Sequence, residues 1–191
     1  MNDFFYKKRI AVPVFIIMVL FSVFVLGGIG LREKEKEVLD VFYGKNELGI
    51  DVSLEYENII GSCKNLLVVA NKYLEKDHTA EGLIKDIEKY EKGDKFEKVL
   101  KDTGFGGMQG ASKSIIERLM YMEIADKDRQ YLIKIEADID ATFRKIKLSG
   151  YDTLAYEFNV LVANPENPYT ELIAKANGIK GLPLALTNVT R

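Results

Sequence analysis

Between Ile10 and Leu31 the chain reads IAVPVFIIMVLFSVFVLGGIGL, 22 residues without a charge. A helix that crosses a membrane needs about 20 apolar residues at roughly 1.5 Å of rise each, so this stretch predicts a single spanning helix with lipid as its partner. A cleaved signal sequence is the rival reading, because Lys7, Lys8 and Arg9 precede the stretch and Gly27, Gly28 and Gly30 close it. The stretch is longer than the roughly 7 to 15 apolar residues of a signal, and no A-x-A pattern ends it. No cysteine follows Gly28 or Gly30, which excludes lipoprotein processing. Pro13 falls in the first turn or so, where its missing N–H costs least.

Orientation follows from basic residues near the two ends. Lys7, Lys8 and Arg9 stand undiluted before the span, whereas Arg32, Lys34 and Lys36 after it alternate with Glu33, Glu35 and Glu37. Acidic residues count little in the positive-inside bias, but the undiluted cluster beside a very short tail favours the N-terminus inside and the following domain outside the cytoplasm.

The remainder of the 191 residues suffices for one ordinary domain and not for two large cores. A formal charge of −2 gives no basic excess for nucleic acid and no marked acidic excess. Cys63 is the single cysteine; inside an apolar-patterned stretch it reads as a small buried hydrophobe, without a second thiol or a histidine at metal-ligand spacing. The expected layout is a short basic tail over 1–9, the span over 10–31, a charged stalk or neck over 32–49, a helical bundle over 50–178 and a C-terminal tail over 179–191.

Apolar residues three or four apart place helices in that domain. REKEKEVLDVF can continue the span's helix until Gly44. Val52, Tyr56, Ile59, Cys63, Leu66 or Leu67, Ala70, Tyr73 and Leu74 predict an amphipathic helix over Asp51–Lys76. Thr79 is the expected N-cap of a next helix carrying Leu83, Ile84, Ile87 and Tyr90, extending toward Phe96, Val99 and Leu100. Four glycines within Thr103–Gly110 predict a loop or hinge. A long run opens at Ala111 or Ser112 with Ile115, Ile116, Leu119 and Met122. It continues through Leu132, Ile135, Ile139, Phe143, Ile146, Gly150, Leu154, Phe158 and Leu161, predicting one long helix that Pro165 and Pro168 stop. A short helix over Tyr169–Ala176 should end at Asn177 and Gly178. No period-two alternation is present, so the fold class is all-α: an N-terminal transmembrane helix followed by an antiparallel bundle of long helices. The tail GLPLALTNVTR is expected to be unstructured or loosely docked, with Leu182, Leu184 and Leu186 able to cover one end of the bundle; Asn188-Val189-Thr190 is a glycosylation acceptor only in a secreted eukaryotic context.

The order of these features resembles the LemA family of bacterial membrane-anchored helical proteins. Ile50–Asp77 occupies the place of the family's first long helix, and Gly150–Ile179 that of its last, which bears "R..YN..V..YN…FP..LIA". Tyr151 with Asp152 stands for the first Tyr-Asn pair, Phe158 with Asn159 for the second, Pro165 for the proline, and Leu172, Ile173 and Ala174 for the LIA triplet. The chain departs from the pattern in Glu55, Glu57 and Ser62-Cys63-Lys64-Asn65, where the family has an arginine pair and IPN, and in Tyr-Asp for Tyr-Asn. The resemblance implies a long-helix antiparallel bundle in the bacterial cell envelope, with no assigned catalytic activity. The motif positions themselves read as structural. Tyr151 and Phe158 are seven apart, on one helix face where rings fill a seam, and Asp152 and Asn159 can bond across the bundle or cap a neighbouring loop's backbone.

No catalytic, cofactor or metal site is expected. His78 is alone in a predicted turn, HExxH and CxxC are absent, and Glu136, Asp138 and Asp140 fan around a helix instead of converging. A di-iron bundle would need Glu-x-x-His pairs. GGMQGASKS fails the phosphate-loop spacing because Ser112 stands before Lys113 and no strand precedes it. The expectation is a non-enzymatic scaffold or interaction module with protein partners in the envelope. A ligand-sensing extracytoplasmic bundle that signals through a partner is the alternative, and converging polar groups near Tyr151 and Asn159 would favour it.

Overall fold

The computed structural model describes residues 2–45, 47–74, 78–91, 104–163 and 168–186. Seven helices lie among the described residues: α1 (Asn2–Phe42), α2 (Val52–Tyr73), α3 (His78–Glu91), α4 (Gly104–Met120), α5 (Asp126–Leu148), α6 (Tyr151–Val162) and α7 (Pro168–Ala176). The described residues contain no strand, only an isolated bridge between Tyr43 and Asp51. The chain divides into two compact units, one of 1–38 with 156–182 and the other of 39–155 with 183–191.

In the second unit α2 is the central element. Asp51 caps it, its carboxylate accepting the Leu54 N–H at 3.0 Å, as an N-cap aspartate does for an otherwise orphan donor. Ile59, Cys63, Leu66 and Ala70 are fully buried along one stripe of α2, which packs on α5, α4 and α3. Each large side chain buried in this way contributes about 1.5–3 kcal/mol. Polar contacts near both ends fix the direction of α5 against α2. Near the start of α2, Glu55 Oε1 meets Lys145 Nζ at 2.8 Å, while near its end Lys72 Nζ and the Tyr73 hydroxyl both donate to Asp128 Oδ2 at 2.5 Å. The two helices are therefore antiparallel.

Three expectations are corrected. The glycine-rich segment is helical from Gly104 onward, not a loop, while Thr103 lies outside the described residues. Glycine costs about 1 kcal/mol per helical position relative to alanine, but Met108, Ser112, Ile115 and Leu119 are buried at helical spacing and tertiary packing outweighs the propensity. The expected single long helix is three: α4 ends at Met120, α5 follows after a short connection, and α5 and α6 part at Ser149 and Gly150. Gly150 takes φ +73°, a left-handed conformation that glycine adopts without a Cβ clash, and the Ser149 hydroxyl donates to Ile146 O and accepts from Tyr151 N–H across the break. Finally α3 starts at His78, ahead of the expected Thr79 cap; Phe96, Val99 and Leu100 lie outside the described residues.

The first unit is built on α1, a 41-residue helix that runs without a break through the apolar stretch and into the charged segment beyond it. Ala11–Phe42 is long and apolar enough to cross a membrane. Its apolar side chains from Val12 to Leu26 are mostly exposed, Phe15 at 67% and Phe21 at 69%. Leu31 at the end of the apolar stretch and Val38 in the charged segment are nevertheless buried, so this part of the helix packs instead of standing free in solvent. Helix α7 docks on α1. The Ile173 Cδ1 lies 3.0 Å from where a Cβ on Gly27 would be, and the Asn177 side chain fills the space over Gly28. Small residues are what allow two helices to approach this closely in an apolar setting. As expected, α7 stops at Asn177 and Gly178.

Candidate functional site

The polar residues singled out on α6 all bind main chain near the C-terminus. In the second unit, burial of Tyr151 is complete, its ring lying 5.2 Å from that of Phe42, and its hydroxyl donates to Pro183 O at 2.7 Å. The neighbouring Asp152 carboxylate accepts two consecutive N–H groups, Ala185 at Oδ1 (2.5 Å) and Leu186 at Oδ2 (2.7 Å). Each oxygen thus takes one donor, an arrangement suited to an anionic acceptor. Ala185 is fully buried against this clamp.

In the first unit Asn159 makes the same kind of contact in neutral form. Its Nδ2 donates to Leu182 O at 2.6 Å and its Oδ1 accepts Leu182 N–H at 2.6 Å, so one side-chain amide satisfies both polar groups of one residue. A Cβ on Gly181 would come within 2.9 Å of Asn159 Oδ1, so the glycine leaves room for the amide. Leu182 is buried and Leu184 and Leu186 are half-buried, so over the described residues 181–186 the tail is docked and not loose. Asn188, Val189 and Thr190 lie outside the described residues.

The electrostatics of the clamp follow from burial. Loss of water pushes the Tyr151 phenol well above its ordinary value, assisted by the Asp152 charge, which fixes it as a neutral donor. Burial also pushes the Asp152 carboxyl upward, while the Ala185 and Leu186 N–H groups pull it back by favouring the anion.

The other motif positions separate in kind. Phe158 is buried, as are Ile173 and Ala174, but Leu172 of the same triplet is 54% exposed; Pro165 lies outside the described residues. Sequence reasoning missed Asn177 as a side chain with tertiary partners. It donates from Nδ2 to Phe24 O (3.2 Å) and Ile173 O (2.9 Å), and its own carbonyl accepts Arg32 Nη2 at 3.1 Å. The signal available was the Gly27-Gly28 pair, which reads equally as the end of an apolar run.

Elsewhere, two titratable groups are shifted by their surroundings. Cys63 Sγ lies 3.3 Å from Ser112 Oγ in the core, and burial raises its pKa against the smaller opposing effect of Ser112. The Asp128 carboxyl is held low by hydrogen bonds from Lys72 and Tyr73, and the Tyr73 hydroxyl accepts the Ala125 N–H at the start of α5. His78 is exposed, 3.6 Å from Glu81. No group of three or more His, Cys, Asp or Glu side chains among the described residues is arranged to hold a metal ion. No family model, curated protein or solved structure matches the chain.

Proposed function

We propose that the chain is a membrane-anchored, non-enzymatic scaffold or interaction module of the bacterial envelope, of LemA type, with its bundle outside the cytoplasm. The observation that carries this reading is the use made of the polar motif residues. Tyr151 and Asp152 direct their hydrogen bonds to Pro183, Ala185 and Leu186, and Asn159 directs its own to Leu182. Catalysis needs titrating groups aimed at a vacant position, and a sensor needs converging polar groups that a ligand can reach. Here the chain's own backbone takes both roles of partner. The apolar face of α1 supports the anchor, and the undiluted Lys7, Lys8 and Arg9 cluster supports the outward placement.

The test is photo-cross-linking in intact bacterial cells from Tyr121, whose side chain is 93% exposed. Discrete adducts with another envelope protein are expected. Adducts with lipid alone would contradict an interaction module. Orientation is checked with Cys63 replaced by alanine and Arg191 by cysteine: a membrane-impermeant maleimide should label intact cells, and protection until lysis would contradict the outward placement.

A further inference from the structure

We infer that α7 is a lipid-contacting helix, lying in the boundary between headgroups and acyl chains with the edge formed by Tyr169, Leu172 and Ala176 turned toward the bilayer. The inference rests on α1 being a membrane span and is carried by where α7 is fastened to it. Its attachments are Ile173 over Gly27, the Asn177 side chain over Gly28 with a hydrogen bond to Phe24 O, and Arg32 donating to Asn177 O. Phe24, Gly27 and Gly28 belong to the uncharged stretch, and Arg32 is the first charge after it. From Phe24 to Leu31 the helix rises about 10 Å. Interfacial helices sink their apolar edge about 5–10 Å into the same region.

The faces of α7 fit that level. At about 100° per residue its side chains form three groups. Ile173 and Ala174 are buried, facing the protein. Glu171 and Lys175 form an ion pair at 2.6 Å on a second edge. Leu172 at 54% and Tyr169 at 75% exposure, together with exposed Ala176, make the third. An exposed leucine beside a tyrosine is unfavourable in water but suits the interface, where an aromatic ring with a polar tip is at home. The surface is continuous in character with α1 at the same height, where Leu26 is 68% and Ile29 50% exposed. An acyl-chain boundary with charged headgroups above it is the environment that accepts an apolar edge and a paired charged edge on one short helix.

The test uses the full chain with Cys63→Ala, reconstituted in phosphatidylcholine and phosphatidylglycerol vesicles. Single cysteines are placed in turn at Phe21, Leu172 and Lys175, and each is labelled with an environment-sensitive fluorophore. The Phe21 and Leu172 probes should be several-fold less quenched by aqueous iodide than the Lys175 probe, and only the first two quenched by a lipid-borne spin label. If the Phe21 probe is shielded while the Leu172 probe is quenched as strongly as the Lys175 probe, the inference falls and the anchor stands. Shielding of all three overturns the edge-on placement. If iodide reaches Phe21, the span reading fails and the inference with it.

Discussion

The Asp152 carboxylate accepts the main-chain N–H of Ala185, 33 residues further along the chain, at 2.5 Å. With the second bond from Leu186, this contact makes an aspartate at the start of α6 responsible for holding a segment that has no regular structure of its own. Replacing it by asparagine keeps the size and removes the burial cost of a charge. The amide, however, offers one acceptor where two are needed and points a donor at a backbone N–H. Asp152→Asn is predicted to lose about 1–3 kcal/mol of stability, the range for leaving a buried donor unsatisfied. Denaturant unfolding measures the loss, and hydrogen exchange should show Ala185 and Leu186 amides losing protection. Unchanged protection would mean that the tail is held by its apolar side chains alone.

The glycines at the end of the apolar stretch are not equivalent. A Cβ on Gly28 would lie 2.4 Å from the Asn177 side chain, while a Cβ on Gly30 meets nothing within 4 Å. Gly30→Ala should therefore be neutral or stabilising by up to about 1 kcal/mol through helix propensity. Gly28→Ala should loosen α7, seen as faster proteolysis within 168–182 and a lower melting temperature in detergent. Equal behaviour of the two variants would remove the docking of α7 on α1 from the account.

Tyr151 gives a pH prediction with a definite sign. Its folded pKa is raised above the unfolded value, so the neutral phenol's contribution is complete below the ordinary tyrosine value of about 10 and is lost as pH rises beyond it. Ultraviolet titration should show a late tyrosine step above the ordinary value, and that step should coincide with loss of structure by circular dichroism. Tyr151→Phe should abolish that late step and cost about 1 kcal/mol through the lost bond to Pro183.

Cys63 supplies a probe of the α2 core because the chain has no other thiol. Burial both blocks access and raises the pKa, so little thiolate is present at neutral pH. Labelling by a maleimide is predicted to be slow under native conditions and to reach one equivalent in denaturant. Rapid native labelling would show that the stripe holding Ile59, Cys63 and Leu66 is open.

The fold was legible wherever one local signal stood alone. The start of α2 beside Asp51, the burial of Ile59, Cys63 and Ala70, and the end of α7 at Gly178 all follow from spacing and end chemistry. The break between α5 and α6 was hidden because the apolar steps continue across it through Ile146, Leu154 and Phe158. What changes is the register: the buried apolar series passes from Ile146 to Tyr151, then to Ala155, Phe158 and Val162, a step of five where a continuous helix takes three or four. The helical glycines of α4 were hidden for the opposite reason, since tertiary burial of Met108 and Ser112 decides against local propensity. At the clamp, Asp152 and Asn159 were legible as polar groups that could cap backbone. Their partners were not, because Leu182–Leu186 has no periodicity that marks a docking strand.

The anchor is the element on which the remaining readings depend. Its most direct measurement is alkaline carbonate extraction of membranes from cells making the full chain. The chain is expected to stay in the pellet with integral proteins, since lipid would cover the exposed side chains from Val12 to Leu26. Release into the supernatant would contradict it.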